Sequence, residues 1–154
     1  MKNHLWKVMT PICVALSLCC SIKAKASTPL KAPTPACVIQ AVNAHKLPLT
    51  IVLALIRTEG GHPGSIHQNQ DKYRSHDLGV MQVNDRTWIP EIARRDWHGD
   101  RQAAIEAIKN DGCYNVMWGT EIFSRYVDET NGKYWLAVGY YNSHNDDPRI
   151  RYTK

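Results

Sequence analysis

Ile51-Val52-Leu53-Ala54-Leu55-Ile56-Arg57-Thr58-Glu59 is an apolar helical run that ends on an acid, and Gly60 and Gly61 follow it at once. On a helix, Val52, Leu55 and Ile56 lie seven, four and three residues before Glu59 and share its face. A chain built this way aims one carboxyl group toward its own apolar interior and then breaks the helix. Burial disfavours the charged form of a carboxyl and raises its pKa, which suits a general acid near neutral pH. An amphipathic helix whose last residue turns out to solvent would read the same way. The segment by itself leaves both readings open.

Residues 1–26 read as an export signal. Lys2 and Lys7 form a positive start, Val8 to Ile22 is largely apolar, and Ala24-Lys25-Ala26 supplies a small-x-small cleavage pattern. Cleavage is expected after Ala26, which places the rest of the chain in the periplasm. The apolar run is short for a bilayer and contains Pro11, so no stable membrane span is expected after cleavage. Four of the 19 basic residues and none of the 14 acidic ones lie in 1–26, leaving 15 basic against 14 acidic. A nearly neutral domain carries no electrostatic footprint for nucleic acid, and none is expected as a partner. Taking 26 residues from 154 leaves 128, enough for one core and one domain, expected to be monomeric. Cys13, Cys19 and Cys20 leave with the signal, so Cys37 and Cys113 remain. Two cysteines in an exported chain most simply form one disulfide. As metal ligands they would leave a site half built.

Residues 27–35, rich in Pro, Thr and Lys, read as a flexible lead-in. A first helix is expected from near Thr34-Pro35 toward His45, broken by Lys46-Leu47-Pro48 before the helix that ends at Glu59. Gly60 to Asp77 is polar and reads as a loop or small irregular hairpin. Leu78 to Asn84 is short, apolar and alternating, and reads as a strand or extended segment, with Gly79, Met81 and Val83 on one face and Val80, Gln82 and Asn84 on the other. Further helices are expected over Asp85–Arg95, over Arg101–Asn110 with Asp100 as cap and Gly112 as stop, over Tyr114–Val127 and over Tyr134–Tyr141. The polar tail begins at Ser143. The pattern is a mainly α domain with one central irregular, polar excursion.

Three segments then stand out together: Ala54 to Gly61, Asp77-Leu78-Gly79-Val80-Met81-Gln82-Val83-Asn84, and Ala137-Val138-Gly139-Tyr140-Tyr141-Asn142-Ser143. In this order and at these spacings the chain resembles the lysozyme-like lytic transglycosylases of bacteria, most of all the small members that accompany secretion, conjugation or pilus machines. The resemblance covers residues 36–144, with 145–154 left as a polar tail, and the middle motif is its most specific part. It implies a lysozyme-like α+β single domain with a small irregular or β excursion in the cleft. It also implies cleavage of the β-1,4 bond between N-acetylmuramic acid and N-acetylglucosamine, leaving a 1,6-anhydro end and needing no cofactor. Glu59 takes the position of the family's catalytic acid/base. Met81 and Gln82 match the floor of the sugar cleft, and Tyr141 with Asn142 matches an aromatic segment close to the acid. Small members also link the first helix to the helix after the central lobe, as Cys37 and Cys113 would. The chain departs from the pattern twice: Gly60 stands where many members have Ser, and Gly139-Tyr140-Tyr141 replaces the commoner small residue followed by Tyr.

Several residues admit more than one reading. Asp77 is either a turn anchor or a second carboxylate that would permit lysozyme-type hydrolysis. Gln82 and Asn84 either satisfy buried backbone or face sugar hydroxyls and acetamido groups, the second being the expectation. Trp88, Trp97, Trp118 and Trp135 read as core. His62, His67 and His76 crowd the loop with Asp77, but without a close helical pair, so no metal is expected. A non-catalytic wall-binding or scaffold protein is the remaining alternative, disfavoured because a pure binder has no use for an acid at the end of an apolar run.

Overall fold

The computed structural model describes residues 29–142. The export signal, the start of the lead-in, Ser143 and the tail 145–154 lie outside them. Helix α1 (Pro35–Ala44) begins with Thr34, whose hydroxyl accepts from the Cys37 N–H at 3.2 Å, and Pro35 fills the first helical position. Helix α2 (Leu49–Glu59) buries Val52 and Leu55 and stops at Gly60, a left-handed cap at φ 64°. Three short strands follow, β1 (Ile66–Gln68), β2 (His76–Leu78) and β3 (Val83–Asn84), forming an antiparallel sheet in the order β1-β2-β3. Four helices complete the fold: α3 (Asp85–Asp96), α4 (Arg101–Asn110), α5 (Gly112–Glu129) and α6 (Tyr134–Asn142). Among the described residues, six helices and one small sheet make the mainly α, lysozyme-like α+β arrangement expected.

The 18-residue helix α5 organises the core. One side of it, through Val116 and Phe123, packs with Val38, Val42, Val52, Leu55, Met81 and Ala137 of α1, α2, the β2–β3 turn and α6. Its other side, through Trp118 and Ile122, packs with Leu78, Val83, Ile89, Ile92, Ala104 and Ile108 of the sheet, α3 and α4. Tyr126 and Tyr141 pack against both clusters and so sit at their seam. Each cluster removes several whole aliphatic side chains from water, which is what holds the helices to α5.

Two expectations need correction. Leu78 to Asn84 is not one strand: β2 ends at Leu78, the chain reverses through Gly79 to Gln82, and β3 pairs back with Leu78 opposite Val83 and Asp77 opposite Asn84. Positive φ at Gly79 (68°) and Gln82 (51°) produces the reversal, and it cancels the alternation of faces, since Val80, Met81 and Val83 are all buried. Gly112 is not the stop of α4 but the first residue of α5, because Asp111 ends α4 and its side chain caps α5 by accepting from the Tyr114 N–H. A Cβ at residue 112 would come within 2.8 Å of the Lys31 carbonyl oxygen, so glycine is needed for close approach. That contact also ties Lys31, in the lead-in, to the junction of α4 and α5. Lys31 donates its N–H to the Asn110 carbonyl and accepts from the Gly112 N–H, each at 2.8 Å, and its ammonium pairs with Asp111 at 3.3 Å.

Cys37 and Cys113 are bonded, tying α1 to the start of α5. The bond closes a loop of 76 positions. Replacing both cysteines by alanine is expected to lower stability by roughly 2–4 kcal/mol, read as a lower urea midpoint with a steeper slope, since the unfolded chain without the cross-link exposes more surface. Among the described residues no helix is long and apolar enough to cross a membrane.

Candidate active site

A cleft of about 710 Å³ is lined by the end of α2, the segment from Asn69 to Asp77, the β2–β3 turn, the first turn of α3, and parts of α5 and α6. Glu59 lines it from the last position of α2 and is half-buried. Two glycines set this position. Gly60 ends the helix with its N–H donating to the Ile56 carbonyl at 3.3 Å. At Gly61 a Cβ would land on the Gly79 carbonyl oxygen and 2.6 Å from Gln82 Nε2, so the chain leaving Glu59 is pressed directly against the turn. Gly61→Ala is therefore expected to cost about 2 kcal/mol by overpacking. A lowered thermal midpoint, together with weaker glycan cleavage at temperatures where the variant is still folded, checks this.

The turn itself is fixed from below. Asn115 on α5 is fully buried. Its Oδ1 accepts from the Met81 N–H at 2.7 Å, and its Nδ2 donates to the carbonyls of Leu78 (2.8 Å) and Ile108 (2.9 Å). One side chain thus satisfies backbone groups of β2, the turn and α4 that would otherwise be buried without partners. The Tyr141 hydroxyl donates to the Met81 carbonyl at 2.8 Å, which locks α6 to the same turn. Gly119 makes this possible, because a Cβ there would meet Met81 Sδ at 2.7 Å and Tyr141 Oη at 3.0 Å. Gln82 holds the left-handed conformation, and its Nε2 donates to the Gly79 carbonyl at 2.7 Å and to Ser65 Oγ at 3.3 Å.

The polar wall is a chain of committed groups. Asn84 caps α3 by accepting from the Thr87 N–H, and donates to Asp77 Oδ1 at 2.7 Å and to Ser75 Oγ at 3.2 Å. Asp71 accepts from the Tyr73 and Ser75 N–H groups and from the Ser75 hydroxyl. The Ser75 bonds in particular hold its carboxyl below the usual aspartate range. The opposite wall is aromatic: Trp88, Tyr126, Tyr140 and Tyr141 line the cleft, with Tyr126 in edge contact with the other three. Arg125 lies over Trp88 at 5.4 Å and braces that wall from outside. Its guanidinium donates to Glu91 and Glu121, the Arg125 bond drawing the Glu91 carboxyl below its ordinary value.

Of the residues singled out in the sequence, Glu59, Asp77, Gln82, Asn84, Tyr141 and Asn142 all line this one cleft. Met81 does not; it is wholly buried beneath the turn and meets the site only through its carbonyl. Gln82 spends its amide nitrogen on the fold, and Asn84 both ends of its amide, so each shapes the wall it lines. Trp88, read as core, is a wall residue, and Tyr140 joins Tyr141 on the cleft. Asn115 was missed, although its spacing from Trp118 and Ile122 puts it on the apolar side of α5. Among the described residues no group of three His, Cys, Asp or Glu side chains is placed to hold a metal ion.

The family whose sequence pattern is described as the Transglycosylase SLT domain matches residues 36–147. The chain belongs to that family. It is a lytic transglycosylase, and its substrate is peptidoglycan. A search of curated proteins finds no match. Members of this family act on the wall, usually outside the cytoplasm. A cleft with one hydrogen-bonded wall and one aromatic wall has the chemistry to take up an amphipathic sugar chain, offering polar groups to polar edges and rings to sugar faces.

Proposed function

We propose that the transglycosylase cleaves the bond between N-acetylmuramic acid and N-acetylglucosamine with Glu59 as its single general acid and base. What supports the reading is the position of Glu59, half-buried at the edge of the one turn that α2, α5 and α6 all brace. A glycosidic oxygen leaves poorly until protonated. Glu59 gives its proton to O4 of the departing N-acetylglucosamine as the C1–O4 bond breaks. The muramic 6-hydroxyl oxygen bonds to C1, and its proton returns to Glu59. No water is consumed, and one carboxyl serves twice. The tethered hydroxyl supplies the entropic advantage that a bound water would lack.

Asp77 carries the second reading, since it lines the same cleft. A second carboxylate could act on water and give a reducing end, as in hydrolytic lysozymes. The acceptance of the Asn84 amide by Asp77 favours a structural role. Mass spectrometry of the released muropeptides separates the two. Anhydro ends are expected, and reducing ends would transfer the reaction to Glu59 with Asp77.

The remaining assignments rest on family likeness and on sequence outside the described residues. They are export by the 1–26 signal to the periplasm, a monomeric domain over 36–144, and local opening of the wall for an envelope-spanning secretion, conjugation or pilus machine.

A further inference from the structure

Arg86 is the one basic side chain among the described residues lining the cleft. It stands in the first turn of α3, where the helix dipole disfavours a cation. Its guanidinium centre lies 3.5 Å from the centroid of the Tyr73 ring, and Lys72 Nζ lies 4.7 Å from the same ring. Tyr73 is 52% exposed, on a loop that Asp71 fixes through three hydrogen bonds. Stacking fixes the plane of the guanidinium and leaves its N–H edges pointing away from the ring. Among the described residues none accepts a hydrogen bond from those edges, and no carboxylate pairs with them. The two arginines behind the aromatic wall differ in this: Arg95 and Arg125 are both bonded to Glu121. Asp71 and Asp77, which line the same cleft, and the adjacent Asp85 are bonded elsewhere: Asp71 to its own loop, Asp77 to Asn84 and Asp85 to His76.

A forked donor held flat at the rim of a cleft fits a planar anion, above all a carboxylate. A peptidoglycan strand carries its carboxylates on one substituent, the lactyl ether at O3 of the muramic residue, which is either free or extended by an acidic peptide. We propose that Arg86, stacked on Tyr73, is a carboxylate-binding arm that reads this substituent and so distinguishes muramic-acid strands from plain N-acetylglucosamine polymers. The proposal rests on the reading of this cleft as the glycan site.

The test uses the full chain and its Arg86→Gln and Arg86→Lys variants. Their kcat and KM are measured on peptide-bearing strands and on strands stripped of peptide by an amidase, and their affinity is measured for a chitooligosaccharide, which has no carboxylate. Arg86→Gln is expected to raise KM on carboxylate-bearing strands about fivefold at low salt, with kcat unchanged. The effect should shrink as ionic strength rises, and Arg86→Lys should restore part of it. Chitooligosaccharide affinity should not move. A rise confined to peptide-bearing strands assigns the arm to peptide carboxylates, one confined to stripped strands assigns it to the lactyl carboxylate that the amidase frees, and a rise on both shows that it takes whichever carboxylate the substituent carries. An unchanged KM on both strands overturns the proposal, as does an equal loss of chitooligosaccharide affinity, which would make Arg86 a shaping residue. A native chain that acted on neither strand would overturn the cleft reading itself, and this proposal with it.

Discussion

Glu59→Gln is expected to slow peptidoglycan clearance by about a thousandfold while leaving the thermal midpoint nearly unchanged. Glutamine keeps the shape and volume of the side chain but has no proton to give and no basic oxygen to take one back. The core of α2 is supplied by Val52 and Leu55, and the helix end is fixed by Gly60, so the fold does not need the acid. A turbidity assay on purified wall measures the rate, and circular dichroism on the same samples checks the fold. Asp77→Asn is the companion variant. With one working carboxyl it should retain most of the activity, losing only what the weakened contact to Asn84 gives the wall. If Glu59→Gln clears the wall as well as the native chain, Glu59 is not the acid. If Asp77→Asn falls as far as Glu59→Gln, both carboxylates take part.

What the sequence made legible was whatever depends on neighbours along the chain. Thr34 before Pro35, Asp100 before Arg101 and Gly60 after Glu59 act locally: a helix starts beside Thr34, Asp100 caps α4 and α2 breaks at Gly60, each as expected. What it hid was set by groups far apart in the chain. Gly61 looks like a second helix breaker, yet its role is to let backbone 61 touch backbone 79. Gly112 looks like a stop, yet it makes room for Lys31 and Pro33. The alternation from Leu78 to Asn84 suggested a strand because periodicity cannot register two residues with positive φ. Gln82 and Asn84 both line the cleft and also bond the fold, because an amide near a cleft motif carries no mark of how it divides itself between ligand and protein. Trp88 divides itself in the same way. It packs against the same cluster as the wholly buried Ile89 and Ile92, but it is only partly buried and its remaining surface lines the cleft.

Asn115→Leu is expected to be the most destabilising single change at the site. Leucine is close in volume, so the effect measures lost hydrogen bonds more than a cavity. Three backbone groups lose their partner at once: the Met81 N–H and the carbonyls of Leu78 and Ile108. The surroundings are dry, with Met81, Ile108 and Val116 all wholly buried, so water cannot replace the amide cheaply. The three losses together are expected to cost about 4 kcal/mol, or roughly 15 °C in thermal midpoint for a domain of this size. Activity should fall more steeply than the folded fraction, because the same amide fixes the turn to which Tyr141 is bonded and against which Gly61 is pressed. Measuring cleavage well below the midpoint separates the two effects. A variant that kept native cleavage at such a temperature would show that the turn holds its shape without its rivet, and Glu59 would then owe its placement to α2 alone.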